Sequence, residues 1–518
     1  MTQIAQVDIL EAKGLIRLAS VRPELEYLFR HGLVQDAAYS SLLKQERREL
    51  HGRVGAALEA LYPERAGELA LVLAMHFEQA GDSGRAIEYY VAGAKHALGQ
   101  YAIQEAYGAF DRAATLIDLQ DAESNAPDVA PDERDRRRRR HIEIELGRAE
   151  AGYSIRTPEE TFDALERIVE PAEQLGDLEL VGRVHTLIAL QRLLNGESAT
   201  DPIVKRSLDR VVEVGESIGD ASLGAMPLAL IGLSNVFAGD VRMGTTQLEE
   251  ALPLMEGRQD TVGPAFARGA LAIGYANLGD FEKADAAAAQ ATAMAGKSDL
   301  IAQLDALIAE SIVRSMEGDL EGAVPLARQC VQQSEETGAT ACMVASSWVL
   351  GDAFHRQGKY TEARDVLKRG SDVSAVVDRR VWRPTLLAWL GSTMATLGAA
   401  DEGDWEEALA TARSIGNRVG EAGILAKRAE ALVTRGDIDA ARPNAEMAIA
   451  IMTELGLRPH LARVERAWGQ ALRGAGLATE SEQHLLHAAS LFGELGIAGE
   501  ENAVRAELRL GSTKTSFD

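Results

Sequence analysis

Cysteine is nearly missing from this chain. Cys330 and Cys342 are the only two in 518 residues, too few for a disulfide framework or a cysteine-based zinc site, and in keeping with a reducing compartment. Aromatic residues make up only 5% and prolines number 14, a composition that argues against an all-β fold and suits helices packed through small side chains. No apolar run approaches the length of a membrane span. The opening MTQIAQVDILEAKGLIRL has neither an apolar signal core nor a cleavage site, so the expected location is the cytoplasm. Positive charge is also scarce: 54 basic against 79 acidic residues leave a net charge of −25, which excludes wholesale electrostatic binding to nucleic acid or to anionic membranes.

What is abundant is a repeat. Gly239, Gly279, Gly318 and Gly358 recur at intervals of 40, 39 and 40 residues, and Gly436 and Gly476 are again 40 apart. A period of this length is the signature of a solenoid, and a chain of this length exceeds a single core. In the unit around Gly279, Leu271, Ala272, Tyr275 and Leu278 share one helical face. Gly279 ends that helix, Asp280 can cap the next, and Phe281, Ala284, Ala288 and Ala291 form the second helix's inner face. Each unit is thus a helical hairpin whose apolar face is buried only by its neighbours. The expected fold is all-α, a right-handed α-solenoid.

Leu350, Gly351, Phe354, Gly358, Tyr360 and Ala363 resemble the tetratricopeptide-repeat pattern, with a unit longer than the usual one. Long units of this kind are similar to the helical arms of bacterial signal-transduction ATPases of the maltose-regulon-activator type. One unit departs from the pattern, carrying extra residues between Gly398 and Trp405, where a longer loop is expected. Near the start, Phe29, Arg30, His31, Leu33, Gln35, Asp36, Tyr39, Leu42 and Leu43 resemble the segment that joins the ATPase and winged-helix parts to the repeats in bacterial adenylate/guanylate cyclase-type and transcription-regulatory signalling proteins. The resemblance implies an arm of a signalling protein whose cyclase and ATPase modules are not in this sequence. No enzymatic activity is carried over from it.

The domain expectation follows: a helical connector with a winged-helix remnant over 1–65, buried against the first hairpin; first repeats over 66–118; a polar linker over 119–133; the main solenoid over 134–510; and a frayed tail over 511–518. No cofactor and no metal are expected, since no catalytic or metal-ligating motif occurs. Ala291 to Leu300 ends in Gly296, Lys297 and Ser298 but lacks the first glycine of a phosphate loop. His31 with Asp36, and His141 with Glu143, read as surface or packing residues.

Two surfaces are candidates for binding. In stacked hairpins the first helices line the concave side, which nominates Trp348, Asp352, His355, Glu430, Glu465, Gln470 and Arg473 as a groove for a protein or peptide ligand. The alternative is a small ligand whose binding alters the curvature of a regulatory arm. Arg134, Arg136, Arg137, Arg138, Arg139 and Arg140 form the second candidate, a patch for an anionic partner. Four acidic residues in the same dozen reduce its charge to +2, and no aromatics are interleaved for base stacking, so nucleic acid is not the favoured partner.

Overall fold

The computed structural model describes residues 3–20, 26–123, 130–153, 155–255, 262–296, 300–377, 380–399 and 403–514. They form an all-α solenoid of tetratricopeptide-like hairpins with a single two-stranded hairpin near the start. Contacts divide the chain into two compact units, residues 1–96 with 108–127, and residues 97–107 with 128–518.

The first unit opens with α1 (Gln3–Ala12) and an antiparallel pair, β1 (Ile16–Ser20) and β2 (Glu26–Phe29), in the register Ile16↔Phe29. Helices α2 (Gly32–Ser40), α3 (Lys44–Leu61), α4 (Ala70–Ala80) and α5 (Ser83–Gly99) follow, and α6 (Ile103–Glu123) contributes its residues from 108 onward. The connector differs from expectation: α2 buries no residue, and Leu33 and Leu43 are 82% and 70% exposed. Helix α3 buries only Gly55, against Phe77 of α4, and leaves Leu50, Val54 and Leu61 exposed as well. Of the segment expected as a linker, 119–123 continue α6 and 131–133 open the next helix, while 124–129 lie outside the described residues.

The second unit is a run of hairpins: α7 (Pro131–Gly152) with α8 (Pro158–Leu175), α9 (Leu178–Leu194) with α10 (Pro202–Ile218), and α11 (Ala221–Ala238) with α12 (Val241–Met255). Next come α13 (Val262–Leu278) with α14 (Phe281–Ala295), α15 (Leu300–Glu317) with α16 (Leu320–Thr337), and α17 (Thr340–Arg356) with α18 (Tyr360–Val377). The run ends with α19 (Arg383–Thr396) and α20 (Gly403–Ser414), α21 (Arg418–Thr434) and α22 (Ile438–Leu455), α23 (Arg458–Gly474) and α24 (Ala478–Leu495), and a closing helix, α25 (Ala498–Lys514). Of the expected tail, 511–514 continue α25, and 515–518 lie outside the described residues. So do 400–402, within the longer joint after Gly398.

The α13–α14 turn shows how sequence sets the hairpin. Gly279 takes φ +84, the left-handed region that costs glycine least, and the Asp280 carboxylate accepts the Lys283 N–H to cap α14. Ala284, Ala287, Ala288 and Ala291 are then buried, their small side chains letting the two helices approach. Gly239 departs from this scheme with φ −131. There the glycine is not needed for chirality.

Stacking hairpins of this kind generates a superhelix, and in the second unit the superhelix returns on itself. Helix α23 meets α13, and α21 meets α11. His460 Nε2 donates to Asn277 Oδ1 at 3.0 Å, although the two are 183 residues apart. Arg463 donates to the Met316 carbonyl at 2.7 Å, and Arg356 of α17 pairs with Glu500 of α25 at 2.8 Å. Leu278 and Phe281 add to the apolar cluster built by α19–α25. The concave face of the solenoid is therefore walled on both sides.

Candidate functional site

Between the returning turns lies a cavity of about 480 Å³. Its wall is supplied mainly by the first helices of successive hairpins, α11 through α23, with Glu500 from α25. Three of the chain's five tryptophans, Trp348, Trp382 and Trp389, line it. All three also pack partly buried against the main apolar cluster, whereas the other two, Trp405 and Trp468, are both 3% exposed in the core.

The aromatic wall is ordered by contacts among the rings. Trp348 stacks on Trp382 with centroids 5.8 Å apart and planes 30° apart, and Phe237 meets Trp382 edge-on at 5.1 Å. His355 meets Trp389 edge-on at 5.4 Å, and the Lys427 ammonium lies 3.6 Å from the centroid of the Trp389 ring. Helix α21 contributes the opposite kind of surface. Gly420, Gly423 and Lys427 fall at helical spacing on one face, and all three line the cavity. A β-carbon at Gly423 would meet nothing within 4 Å, so this stretch of helix presents bare backbone to an open space.

Charge in the cavity is internally matched. Lys427 pairs with Glu430 at 2.8 Å; Arg356 and Arg463 share Glu500 at 2.8 and 2.9 Å; and Arg466 pairs with Glu507 at 2.5 Å. Asp352 accepts from Ser315 Oγ at 2.8 Å and lies 3.6 Å from Arg356. Burial pushes the Glu500 carboxyl up, yet Arg463 and Arg356 outweigh it and hold the group below the usual carboxylate range. His355 and His460 are both pushed down to about 4, by burial first and then by nearby cations, Lys427 for the one and Arg463 for the other. Both imidazoles are neutral at pH 7.

Of the groove residues expected from sequence, Trp348, Asp352, His355, Glu430 and Gln470 line this cavity. Glu465 and Arg473 do not. Glu465 is 3% exposed and turned toward α24, where both of its carboxylate oxygens engage histidines, His484 and His487. Arg473 donates to the Glu507 carbonyl of α25 at 2.8 Å. Glu465 faces the second helix of its own hairpin and Arg473 faces the following helix α25, directions that helical spacing in a single repeat does not separate from the concave stripe. Sequence reasoning passed over Trp382, Trp389, Lys427, Arg463 and Gly423. A usable signal existed in the pairing of Trp382 with Trp389, two helical turns apart in a chain poor in aromatics.

The arginine run is spread around α7. Arg136 and Arg137 pair with Glu133, at 3.2 and 3.1 Å, Arg138 lies 4.0 Å from Asp135, and Arg139 pairs with Asp177. Arg134 and Arg140 are also engaged in interactions. The run's own acidic neighbours consume much of its charge. Lys297 and Ser298 of the phosphate-loop-like stretch lie outside the described residues. Among the described residues no helix is long and apolar enough to cross a membrane, and no group of three or more histidine, cysteine or acidic side chains is placed to hold a metal.

No protein-family model matches the chain, and no curated protein matches it. Among solved structures it is similar to a Rap protein complexed with competence and sporulation factor, at 13% identity over 72% of this chain and 98% of that one, with a TM-score of 0.45. The Rap conjugation gene regulator of plasmid pLS20 in complex with the Phr* peptide is similar at 13% identity, 70% and 97% coverage, and a TM-score of 0.44. A signal-transduction ATPase with numerous domains and a tetratricopeptide-repeat sensor, from Pyrococcus horikoshii, is similar at 14% identity, 80% and 58% coverage, and a TM-score of 0.38.

Proposed function

We propose that this chain is a non-enzymatic interaction and sensor arm whose binding site is the cavity enclosed by the returning superhelix. The observation that carries the reading is the meeting of the three tryptophans with the bare Gly423 face around about 480 Å³ of space. That volume falls in the range of sites for compact organic ligands. The occupant in this reading is a small molecule or a short stretch of peptide. Because Asn277, Met316, Arg356, His460, Arg463 and Glu500 both line the cavity and hold the turns together, an occupant that touches them stabilises the closed superhelix. This is the physical link between binding and a signal.

The test is a thermal-shift screen of peptides and metabolites against the wild-type chain and Gly423→Met. The substitution replaces a mid-helix glycine with a better helix former, and its side chain enters open space. Ligands that stabilise the wild type and not the variant support the cavity as the site. Hits that stabilise both equally place the site elsewhere.

A second reading concerns the first unit. Phe29, Leu33, Tyr39 and Leu43, which carry the resemblance to signalling proteins, are 43%, 82%, 42% and 70% exposed. Exposed apolar side chains in such number favour a covering surface, and an ATPase or cyclase module is the cover that the resemblance implies. Loss of co-purification with such a module on Leu33→Asp and Leu43→Asp, with unchanged helicity, is the expected result.

A further inference from the structure

The cavity also constrains the chemistry of its occupant, and the inference that follows rests on the reading of the cavity as the binding site. We infer that the site takes a flat aromatic ring carried by a group without net charge, held against the tryptophans and the bare Gly423 face of α21.

Three independent features converge on that class. Aromatic surface and bare backbone meet there: Trp348 stacks on Trp382, and α21 presents Gly423, without a side chain, to the same space, while Gly420 is covered by the Asn417 side chain. Wide rings beside a stretch of uncovered backbone offer a planar π-system more contact than a globular aliphatic group. A glycine inside α21 weakens the helix relative to alanine. Since no neighbouring atom lies within 4 Å of a Gly423 β-carbon, packing within the chain does not account for it, and room for a ligand does.

Charge matching is the second feature. Lys427 faces Glu430, Arg466 faces Glu507, and Arg356 and Arg463 share Glu500 with Asp352 beside Arg356, four cations to four carboxylates. A ligand with a net charge would lose its hydration and find no free counterion. The third feature is the Lys427 ammonium, which sits on the Trp389 ring at 3.6 Å while paired to Glu430. The one cation suited to that aromatic face is supplied by the chain itself, so an incoming cation would have to displace it.

The ring can come from a free compound or from an aromatic side chain of a peptide, and the test separates these sources. N-acetyltryptophanamide, indole-3-propionate, tryptamine and cyclohexanol are titrated against the full chain, with saturation-transfer NMR as the readout, and the measurements are repeated with Gly423→Met and Gly423→Ala. The expected result is binding of the neutral amide at least tenfold tighter than the anion, the cation or the alcohol, weakened at least tenfold by Gly423→Met. If the anion, the cation or cyclohexanol binds as tightly as the amide and Gly423→Met still weakens it, the cavity is a binding site but the assignment of ligand class is overturned. If no probe binds, or if binding is indifferent to both glycine variants, the cavity reading and the ligand class fail together. A capped pentapeptide with tryptophan between glycines then identifies the source: binding at least tenfold tighter than the amide supports the class with a peptide side chain as its carrier, and equal or weaker binding supports it with a free compound.

Discussion

Cδ2 of Leu495 lies 2.2 Å from the point where a β-carbon on Gly279 would stand. The two residues belong to different turns of the superhelix, one at the α13–α14 corner and one at the end of α24, and they meet only because the solenoid comes back upon itself. Gly279 therefore serves twice, allowing φ +84 at its own corner and admitting Leu495 from the other turn.

Gly279→Ala separates these two roles when set beside Gly436→Ala. Gly436 has nearly the same φ, +83, but an added β-carbon there meets nothing within 4 Å. Alanine at 436 costs about 1–2 kcal/mol through left-handed strain alone, whereas alanine at 279 adds an overpacking cost of about 1–3 kcal/mol. Chemical denaturation of both variants should show the larger loss at 279, and equal losses would mean that the turns do not close against each other.

Glu500 is the carboxylate on which Arg356 and Arg463 converge. Glu500→Gln leaves two largely buried guanidinium groups with their shared counterion gone, a change on the order of 3–5 kcal/mol. Amide exchange should quicken first in α25 and then in α23, whose contact with the earlier turn is held through Arg463. Unchanged protection in α25 would show that the ion pair does not fasten the helix.

Stability should fall as the solution is acidified through the range from about 6.5 to about 4. His355 and His460 are pushed down to about 4 in the folded chain from an ordinary 6.5. The unfolded chain therefore binds more protons in that window, and the stabilisation, complete above 6.5, is lost as pH drops through the folded values. Glu500, held below its ordinary 4.5, acts in the same direction at the acid end. His76 and His185, also pushed down by burial, act in the same direction; thermal melts from pH 8 to pH 4 should show the decline, and His355→Phe should flatten its slope by removing one histidine contribution.

Glu465 and Gly423 should behave in opposite ways. Glu465→Gln weakens the grip on His484 and His487 at the α23–α24 interface and should cost about 1–3 kcal/mol of stability without changing ligand affinity, because the residue does not line the cavity. Gly423→Met should leave stability intact or raised and abolish binding. Melting temperature and ligand titration, measured on both variants, give the four values that decide.

The repeat was legible in the sequence because glycine recurrence and helical spacing are local. A left-handed corner needs glycine, a following Asp or Asn can cap the next helix, and small residues at helical spacing mark the face that a neighbour buries. Those rules mark the hairpins from α13 to α24 and place Trp348, Asp352, His355, Glu430 and Gln470 on first helices. They do not distinguish a concave face from a packing face on the same helix, which is why Glu465 and Arg473 fall outside the cavity. Nor do they contain the superhelical return, since each stack adds a small rotation and only the sum of many brings Asn277 to His460, Met316 to Arg463 and Arg356 to Glu500. The sequence by itself determined the hairpin, its period and its caps. Tertiary structure decided that the groove closes into a cavity, because closure depends on accumulated geometry between residues that no local pattern connects.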